Sequence, residues 1–138
     1  MIDDTLRVLR EKGYRITSTR KAVLETFVDE AKPISAEGLI KNLARKKLYP
    51  NKTTIYRELD TLRAGGFIKE VQLGLDRRVY EVTSLGHHHH LICTKCDCIE
   101  DIHMENDMIA YERNIMKKKS LKVFDHSLEF FGLCARCQ

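Results

Sequence analysis

The chain has 138 residues and a net charge of +4, with 43% apolar and 32% charged residues. This composition is typical of a globular protein with one or two small domains, and it excludes a low-complexity chain. The apolar runs are shorter than the roughly 20 residues of a membrane helix, and the acidic start at Asp3 and Asp4 excludes a signal peptide. We therefore expect a cytoplasmic protein with no membrane partner.

The charge is unevenly distributed along the chain. Residues 1–86 carry 17 Lys and Arg against 12 Asp and Glu, whereas residues 87–138 carry 7 against 8. A basic half favours a polyanionic partner such as nucleic acid. We predict two domains, residues 1–84 and 85–138.

Three short helices are predicted at the start of the chain. The first covers residues 3–12 and ends at Gly13, the second begins at Thr17 or Ser18, and the third has Ser35 as its N-cap. Their periodicity predicts a common core. Its expected members are Val23, Leu24, Phe27, Leu39, Ile40 and Leu43.

A fourth helix is predicted between the N-cap Asn51 and the stop at Gly65-Gly66. Ile55, Leu59 and Leu62 recur at helical spacing and should face the core. The opposite face combines hydroxyls, cations and an aromatic ring, groups that can reach phosphates and base edges in a major groove. Its residues are Thr53, Tyr56, Arg57, Asp60 and Arg63.

A β-hairpin is predicted next, with strands over residues 67–73 and 77–83 and with Arg77 and Arg78 at its tip. Helices followed by a basic hairpin are typical of a winged helix-turn-helix that binds DNA. The alternative is a small α+β domain whose polar helix face is merely solvated. The expected fold class is α+β, a winged helix followed by a small α/β domain.

Two Cys-x-x-Cys pairs, Cys93/Cys96 and Cys134/Cys137, are separated by 37 residues. Together they offer the four soft ligands of a tetrahedral zinc site, which would be closed and structural. Cys98 should lie outside this site. Between the pairs we expect a helix from Asn106 to Lys119 and a strand from Leu121 to Phe131.

Four consecutive histidines precede the first cysteine pair. If this run is extended, His88 and His90 share one side and His87 and His89 share the other, which could build two distinct metal sites. The residues available to complete them are Glu81, Asp101, His103 and His126.

These segments together resemble the ferric uptake regulator family of metal-responsive repressors. The resemblance rests on "GYRITSTR", "ISAEGLI", "TTIYRELDTLRAGGFI", "RVYEV", "HHHHLICTKC", "HSLEFFG" and "CARC", in the family's order. It implies a homodimer whose winged helices read an AT-rich inverted repeat of double-stranded DNA and whose C-terminal domains dimerise. It also implies that a regulatory metal favours the DNA-binding arrangement.

The resemblance assigns roles to individual residues. Tyr56 and Arg57 match recognition-helix contacts, and Arg15 matches a basic residue that reaches the minor groove. We also expect DNA contacts from Arg20, Lys52, Thr53 and Arg77. Structural zinc is implied at Cys93, Cys96, Cys134 and Cys137. The regulatory metal is implied at Glu81, His88, His90 and Asp101. A further site is implied at His87 and His126, with His89 beside them.

The sequence departs from the family pattern at three positions. Pro33 stands where many members place a sensing histidine, and His89 replaces a carboxylate. The helix position that matches a glutamate of the further site is Ile109, with Glu105 and Glu112 nearby, so that site is expected to be incomplete. The histidine run resembles zinc uptake regulators, and nitrogen ligands favour borderline metals such as zinc.

We therefore expect zinc as the signal ahead of ferrous iron. Manganese, nickel and peroxide sensing, for which Asp101 provides the matching acidic ligand, are alternatives within the family.

Two alternatives lie outside this function. His103 and Glu105, together with Cys134 and Cys137, faintly resemble a zinc-dependent base deaminase. Leu133 stands where that signature has proline, and the reading leaves Cys93 and Cys96 without a role. The second alternative is a DNA-binding scaffold with structural zinc and idle histidines. We expect the protein not to be an enzyme.

Overall fold

The computed structural model describes residues 2–74, 76–105 and 108–138. They form two compact units that divide between Gly86 and His87, where the predicted division lay after residue 84. Among these residues, the first unit combines four α-helices with a three-stranded sheet, and the second combines one α-helix with a three-stranded sheet, which confirms the α+β class. Among the described residues, no helix has the length and apolar character needed to cross a membrane.

The first unit begins with three helices and a short strand, with bounds α1 Ile2–Glu11, α2 Ser18–Glu30, β1 Ile34–Ser35 and α3 Ala36–Arg45. The cap predicted at Ser35 is confirmed, and Thr17, predicted as a possible first residue of the second helix, is the N-cap of α2. Thr17 Oγ1 accepts a hydrogen bond from the Arg20 N–H at 3.1 Å, and Ser35 Oγ accepts one from the Gly38 N–H at 3.1 Å. Each cap satisfies an N–H that the first helical turn leaves without a partner.

Helix α4, Lys52–Ala64, has the predicted ends and the predicted buried face. Asn51 Oδ1 accepts a hydrogen bond from the Thr54 N–H at 2.8 Å. The helix ends at Gly65, and Gly66 has a φ of 77°, a left-handed conformation that glycine adopts without strain. The polar residues of the opposite face are exposed.

A β-hairpin follows α4, formed by β2 (Ile68–Val71) and β3 (Val79–Val82). The strands are antiparallel, and β1 pairs with the other edge of β3. They are shorter than predicted, and Leu75 of the predicted turn lies outside the described residues. A 3₁₀ turn, Thr83–Leu85, follows β3.

The core of the first unit combines the apolar faces of its helices with the sheet. The predicted members are buried, apart from Ile40, which is half-buried and packs against them. The largest fully buried side chains include Leu9, Leu24, Phe27, Leu39, Leu43, Ile55, Leu59 and Leu62.

The second unit is built around strand β4, His89–Cys93. Strand β5 (Ile99–Ile102) pairs with β4 antiparallel, and β6 (Glu129–Gly132) pairs with it parallel. Helix α5 covers Ile109–Lys119, and the predicted start at Asn106 lies outside the described residues. The predicted strand from Leu121 to Phe131 is wrong over most of its length. Residues 121–128 have no strand partner, because β4 pairs with β6 from Glu129 onward.

Candidate metal centres and nucleic-acid interface

The four cysteines of the two Cys-x-x-Cys pairs converge in the second unit. Their sulfur atoms lie within 4.8 Å of one another, and the Cys96 and Cys134 sulfurs are 3.8 Å apart. Sulfurs around a tetrahedral zinc with bonds of about 2.3 Å are about 3.8 Å apart, so this four-cysteine cluster fits zinc. Cys93 ends β4, and Cys134 follows β6, so parallel pairing of these strands joins the two pairs.

The electrostatics of the four-cysteine cluster favour a thiolate at Cys93. Backbone N–H groups of Cys134 and Cys96 donate to its sulfur and lower the pKa of Cys93 to about 6. Hydrogen bonding to the Cys134 side chain raises the pKa of Cys137 to about 12. Thiols this close cannot all ionise independently, because each negative sulfur disfavours the next. A divalent cation bound among them would offset that repulsion.

Cys98 borders the four-cysteine cluster. Its carbonyl accepts a hydrogen bond from the Cys93 N–H at 3.0 Å. Hydrogen bonding to the Cys96 side chain, followed by burial, raises the pKa of Cys98 to about 12. The four sulfurs that lie within 4.8 Å of one another are those of Cys93, Cys96, Cys134 and Cys137, so Cys98 lies beside the set and not within it.

The histidine run enters β4, where alternate side chains point to opposite faces. The rings of His88 and His90 are 4.9 Å apart, and so are those of His87 and His89. Both predicted pairings are therefore present. His88, His89 and His90 are buried, whereas His87 is exposed.

Asp101 lies against the pair His88 and His90, because β5 sets Asp101 opposite His90 in the sheet register. Its carboxylate oxygens are 3.9 Å from His88 Nε2 and 3.7 Å from His90 Nε2. These separations exceed a hydrogen bond but are shorter than twice a metal–ligand bond, about 4.2 Å. One cation could therefore contact all three side chains. The ring of His103 lies further out, 5.9 Å from that of His88.

Glu81 belongs to β3 of the first unit, where its side chain is buried. Lys69, its partner in the β2–β3 register, places Nζ 3.1 Å from Glu81 Oε1. Glu81 is thus a buried carboxylate that already attracts one cation.

His87, His89 and His126 form a second donor cluster in the second unit, with ligand nitrogens within 4.8 Å of one another. The Nε2 atoms of His87 and His126 are 3.1 Å apart. On the other side of the His126 ring, Nδ1 lies 2.7 Å from Glu112 Oε1. The helix position that matches the family glutamate is Ile109, which is exposed. The carboxylate that contacts His126 is Glu112, which the sequence placed nearby but out of register.

Glu112 contacts the ring nitrogen of His126 that faces away from His87. A carboxylate in that position selects the ring tautomer and orients the histidine toward a metal, as second-layer carboxylates do around zinc. Three imidazole nitrogens with one carboxylate-oriented ring suit zinc, copper or ferrous iron.

The predicted DNA contacts lie in the first unit and differ in accessibility. Lys52, Thr53, Tyr56 and Arg57 are exposed on the outer face of α4, and Lys52 Nζ lies 5.9 Å from the centre of the Tyr56 ring. Arg15, before α2, and Arg77, between β2 and β3, are also exposed. Arg20 differs from them, since its guanidinium is paired with Glu58 and its side chain is 11% exposed.

The chain is similar in sequence to known proteins. Residues 11–131 match the model of the Ferric uptake regulator family. The Peroxide operon regulator of Bacillus subtilis is 34% identical, with 99% of this chain and 92% of that protein covered. The Ferric uptake regulation protein of Neisseria meningitidis is 28% identical, with 94% and 90% covered.

Solved structures agree with the sequence matches. The ferric uptake regulator of Vibrio cholerae superimposes with a TM-score of 0.80 at 26% identity, over 93% of this chain and 98% of that one. The four sulfurs of the cluster lie together, so the deaminase reading, which separates the two cysteine pairs, is not supported. The chain belongs to the ferric uptake regulator family, whose members are dimeric, DNA-binding, metal-responsive transcriptional regulators and not enzymes.

Proposed function

We propose that this protein is a repressor that binds its operator when zinc fills a regulatory site made by Glu81, His88, His90 and Asp101. The observation that carries the proposal is the placement of both Asp101 oxygens 3.7–3.9 Å from two buried histidine nitrogens. That spacing suits a shared cation better than direct hydrogen bonds.

Glu81 is proposed as the ligand that links the wing to this site. Glu81 lies on the buried strand β3, seven residues before His88. Its carboxylate would complete a set of two nitrogen and two oxygen ligands. Metal favours the DNA-binding arrangement only if it binds that arrangement more tightly than the alternative. A ligand from the wing would provide this difference in affinity, because it would reach the metal in only one of the two arrangements. Reversing a two-state balance from 1:99 to 99:1 takes about 5.5 kcal/mol, which two subunits would share.

Two further metal sites are proposed in the second unit. Cys93, Cys96, Cys134 and Cys137 would hold a structural zinc, as their sulfur spacing supports. His87, His89 and His126 would hold a second zinc, with Glu112 orienting His126. Since His89 offers nitrogen where many relatives offer a carboxylate, this site supports zinc over harder metals.

The proposed partner is an AT-rich inverted repeat of double-stranded DNA, read by a homodimer. Lys52, Thr53, Tyr56 and Arg57 would enter the major groove from α4, with Arg15 in the minor groove and Arg77 on the backbone. A chromosomal target implies a cytoplasmic location.

Peroxide sensing with ferrous iron is a second candidate function. It is favoured by Asp101, since a carboxylate beside two histidines also suits iron, and by the identity with the peroxide operon regulator of Bacillus subtilis. Iron-loaded protein treated with hydrogen peroxide would then gain oxygen on His88 or His90, measurable by peptide mass spectrometry. Manganese and nickel are alternative signals, and the metal titration described next includes both.

The test uses protein in which the regulatory site has been emptied while the cysteine-bound zinc is kept. Zinc, ferrous iron, manganese and nickel are titrated against an AT-rich duplex that the protein itself selects from random DNA, and anisotropy measures affinity. Zinc should raise the affinity at the lowest free concentration. The double variant His88→Gln/His90→Gln should lose this response, and the matched control His103→Gln should keep it.

The outcomes separate the alternatives. Equal DNA affinity with and without every metal would support the scaffold with idle histidines and overturn the proposed sensing. A response to iron that peroxide abolishes would replace zinc sensing with peroxide sensing.

A further inference from the structure

Arg20 and Glu58 form a bidentate ion pair between α2 and α4. Arg20 Nε donates to Glu58 Oε2 at 2.8 Å, and Nη2 donates to Oε1 at 3.0 Å. The two side chains are 11% and 12% exposed, so water screens this pair little. By contrast, Lys46 and Asp29 also pair at 3.3 Å across separate segments but are 38% and 68% exposed.

The same guanidinium holds the segment before α2. Arg20 Nη1 donates to the Arg15 carbonyl at 2.6 Å, and Arg20 Cζ lies 5.9 Å from the centre of the Tyr14 ring. Tyr14 to Thr17 belong to neither a helix nor a strand. The position of the Arg15 backbone therefore depends on contacts such as this one.

All three nitrogens of the Arg20 guanidinium thus donate hydrogen bonds within the protein. Its Nε and Nη2 reach Glu58, and its Nη1 reaches Arg15. These contacts engage three of the five guanidinium N–H groups, and the side chain is only 11% exposed, so little of it is left for a DNA phosphate. Displacing Glu58 to free more of it would leave a largely buried carboxylate without its cation.

We propose that Arg20 is a positioning residue that locks the Arg15 segment to the recognition helix α4 through Glu58, and not a DNA contact. The inference rests on the proposed function, in which Arg15 and α4 read two grooves of one operator. Holding both elements at one separation selects duplexes whose minor and major grooves lie at the matching distance.

The test compares Glu58→Gln with Asp29→Asn in the full-length, metal-loaded protein. Both changes remove one negative charge, and the second leaves the Arg20 contacts intact. Affinities are measured by anisotropy for the AT-rich duplex selected by the wild-type protein and for an unrelated duplex of equal length. If Arg20 were a phosphate contact restrained by Glu58, Glu58→Gln would strengthen binding to both duplexes.

If Arg20 is a positioning residue, Glu58→Gln should instead weaken binding to the selected duplex. The loss should be about tenfold, comparable to losing one good base contact. The affinity of Glu58→Gln for the unrelated duplex should equal that of Asp29→Asn. Equal or tighter binding of the selected duplex would overturn the inference.

A second variant, Arg20→Met, is tested by measuring how its DNA affinity depends on salt concentration. A lost phosphate contact lowers the slope of log K against log salt by about 0.9, whereas a positioning residue leaves the slope unchanged. A lowered slope would therefore also overturn the inference. If the wild-type protein itself does not distinguish the selected duplex from the unrelated one, the proposed function fails before this inference is reached.

Discussion

At the scale of single residues, Glu112 is a contact residue that the sequence named as a candidate but could not assign. Family spacing pointed to Ile109, and Glu112, three positions further along the helix, lies within about 60° of the same face. The partner, His126, lies in a segment without helix or strand, where no periodicity relates it to α5. The sequence shows two carboxylates near the matching helix position, Glu105 and Glu112. It does not show which of them contacts His126.

We predict that Glu112→Gln weakens zinc binding at the cluster of His87, His89 and His126 by about 10- to 100-fold. That is the usual effect of losing a carboxylate that orients a metal-bound histidine. Competition with a zinc chelator of known affinity would measure it, after the four-cysteine cluster has been saturated.

The matched control is Glu105→Gln, an exposed carboxylate of the same unit that the sequence left as an equal candidate. If Glu105→Gln weakens zinc binding as strongly as Glu112→Gln, the 2.7 Å contact to His126 has no special role. If neither does, the cluster does not depend on an orienting carboxylate.

The cysteines give a second prediction at this scale. Cys93→Ser should lose the structural zinc and unfold the second unit, because metal binding contributes about 10–16 kcal/mol of apparent free energy in small zinc domains. Cys98→Ser should keep the zinc of the four-cysteine cluster, since Cys98 is not among the four cysteines whose sulfurs lie within 4.8 Å of one another. Metal analysis by mass spectrometry and circular dichroism check both variants.

These two variants differ by one sulfur each, so each is the other's control. Loss of zinc from Cys98→Ser would make Cys98 a ligand and one of the four other cysteines dispensable. The four-cysteine cluster itself was predictable, because two identical pairs in a chain with five cysteines leave few ways to build a tetrahedral site.

At the scale of elements, predictions succeeded where the signal is local. Ser35 and Asn51 cap their helices as predicted, because a capping side chain bonds to a backbone N–H of the first turn. The strand predicted from Leu121 failed, because apolar residues such as Phe124 form a strand only where another strand is available. The pairing of β4 with β6 joins segments far apart in sequence, which local pattern does not reveal.

Helix α4 carries the prediction that belongs to this scale. Arg57→Ala should weaken binding to the selected duplex and, if Arg57 meets a phosphate, reduce the salt slope by about 1. Arg10→Ala, which removes an exposed arginine from α1, is the matched control. Anisotropy across a salt series would measure both. Unchanged affinity for Arg57→Ala, or equal losses for the two variants, would remove Arg57 from the contact list.

At the scale of the whole molecule, the second unit exposes much of its apolar surface. None of the residues of α5 is buried, and Tyr111, Phe124 and Phe131 are 67%, 86% and 56% exposed. Among the described residues of this unit, the buried apolar side chains are Ile92 and Cys93. A unit of this size with so small a core needs metal, a partner subunit or both, which agrees with the dimeric family.

A dimer with two recognition helices makes the spacing of the operator half-sites a geometric test. The two helices must meet successive major grooves on one face of the duplex, about one helical turn or a multiple of it apart. Inserting about 5 base pairs between the half-sites rotates one of them to the opposite face of the DNA, since a turn has about 10 base pairs.

The metal-loaded dimer should bind the altered operator through one half-site. Because it then loses the benefit of two linked contacts, its affinity should fall by about 100-fold or more. The same 5 base pairs inserted outside the inverted repeat serve as the control and should change nothing. If the internal insertion were tolerated, the recognition helices would not be held at one separation, and a metal that sets their separation could not control binding.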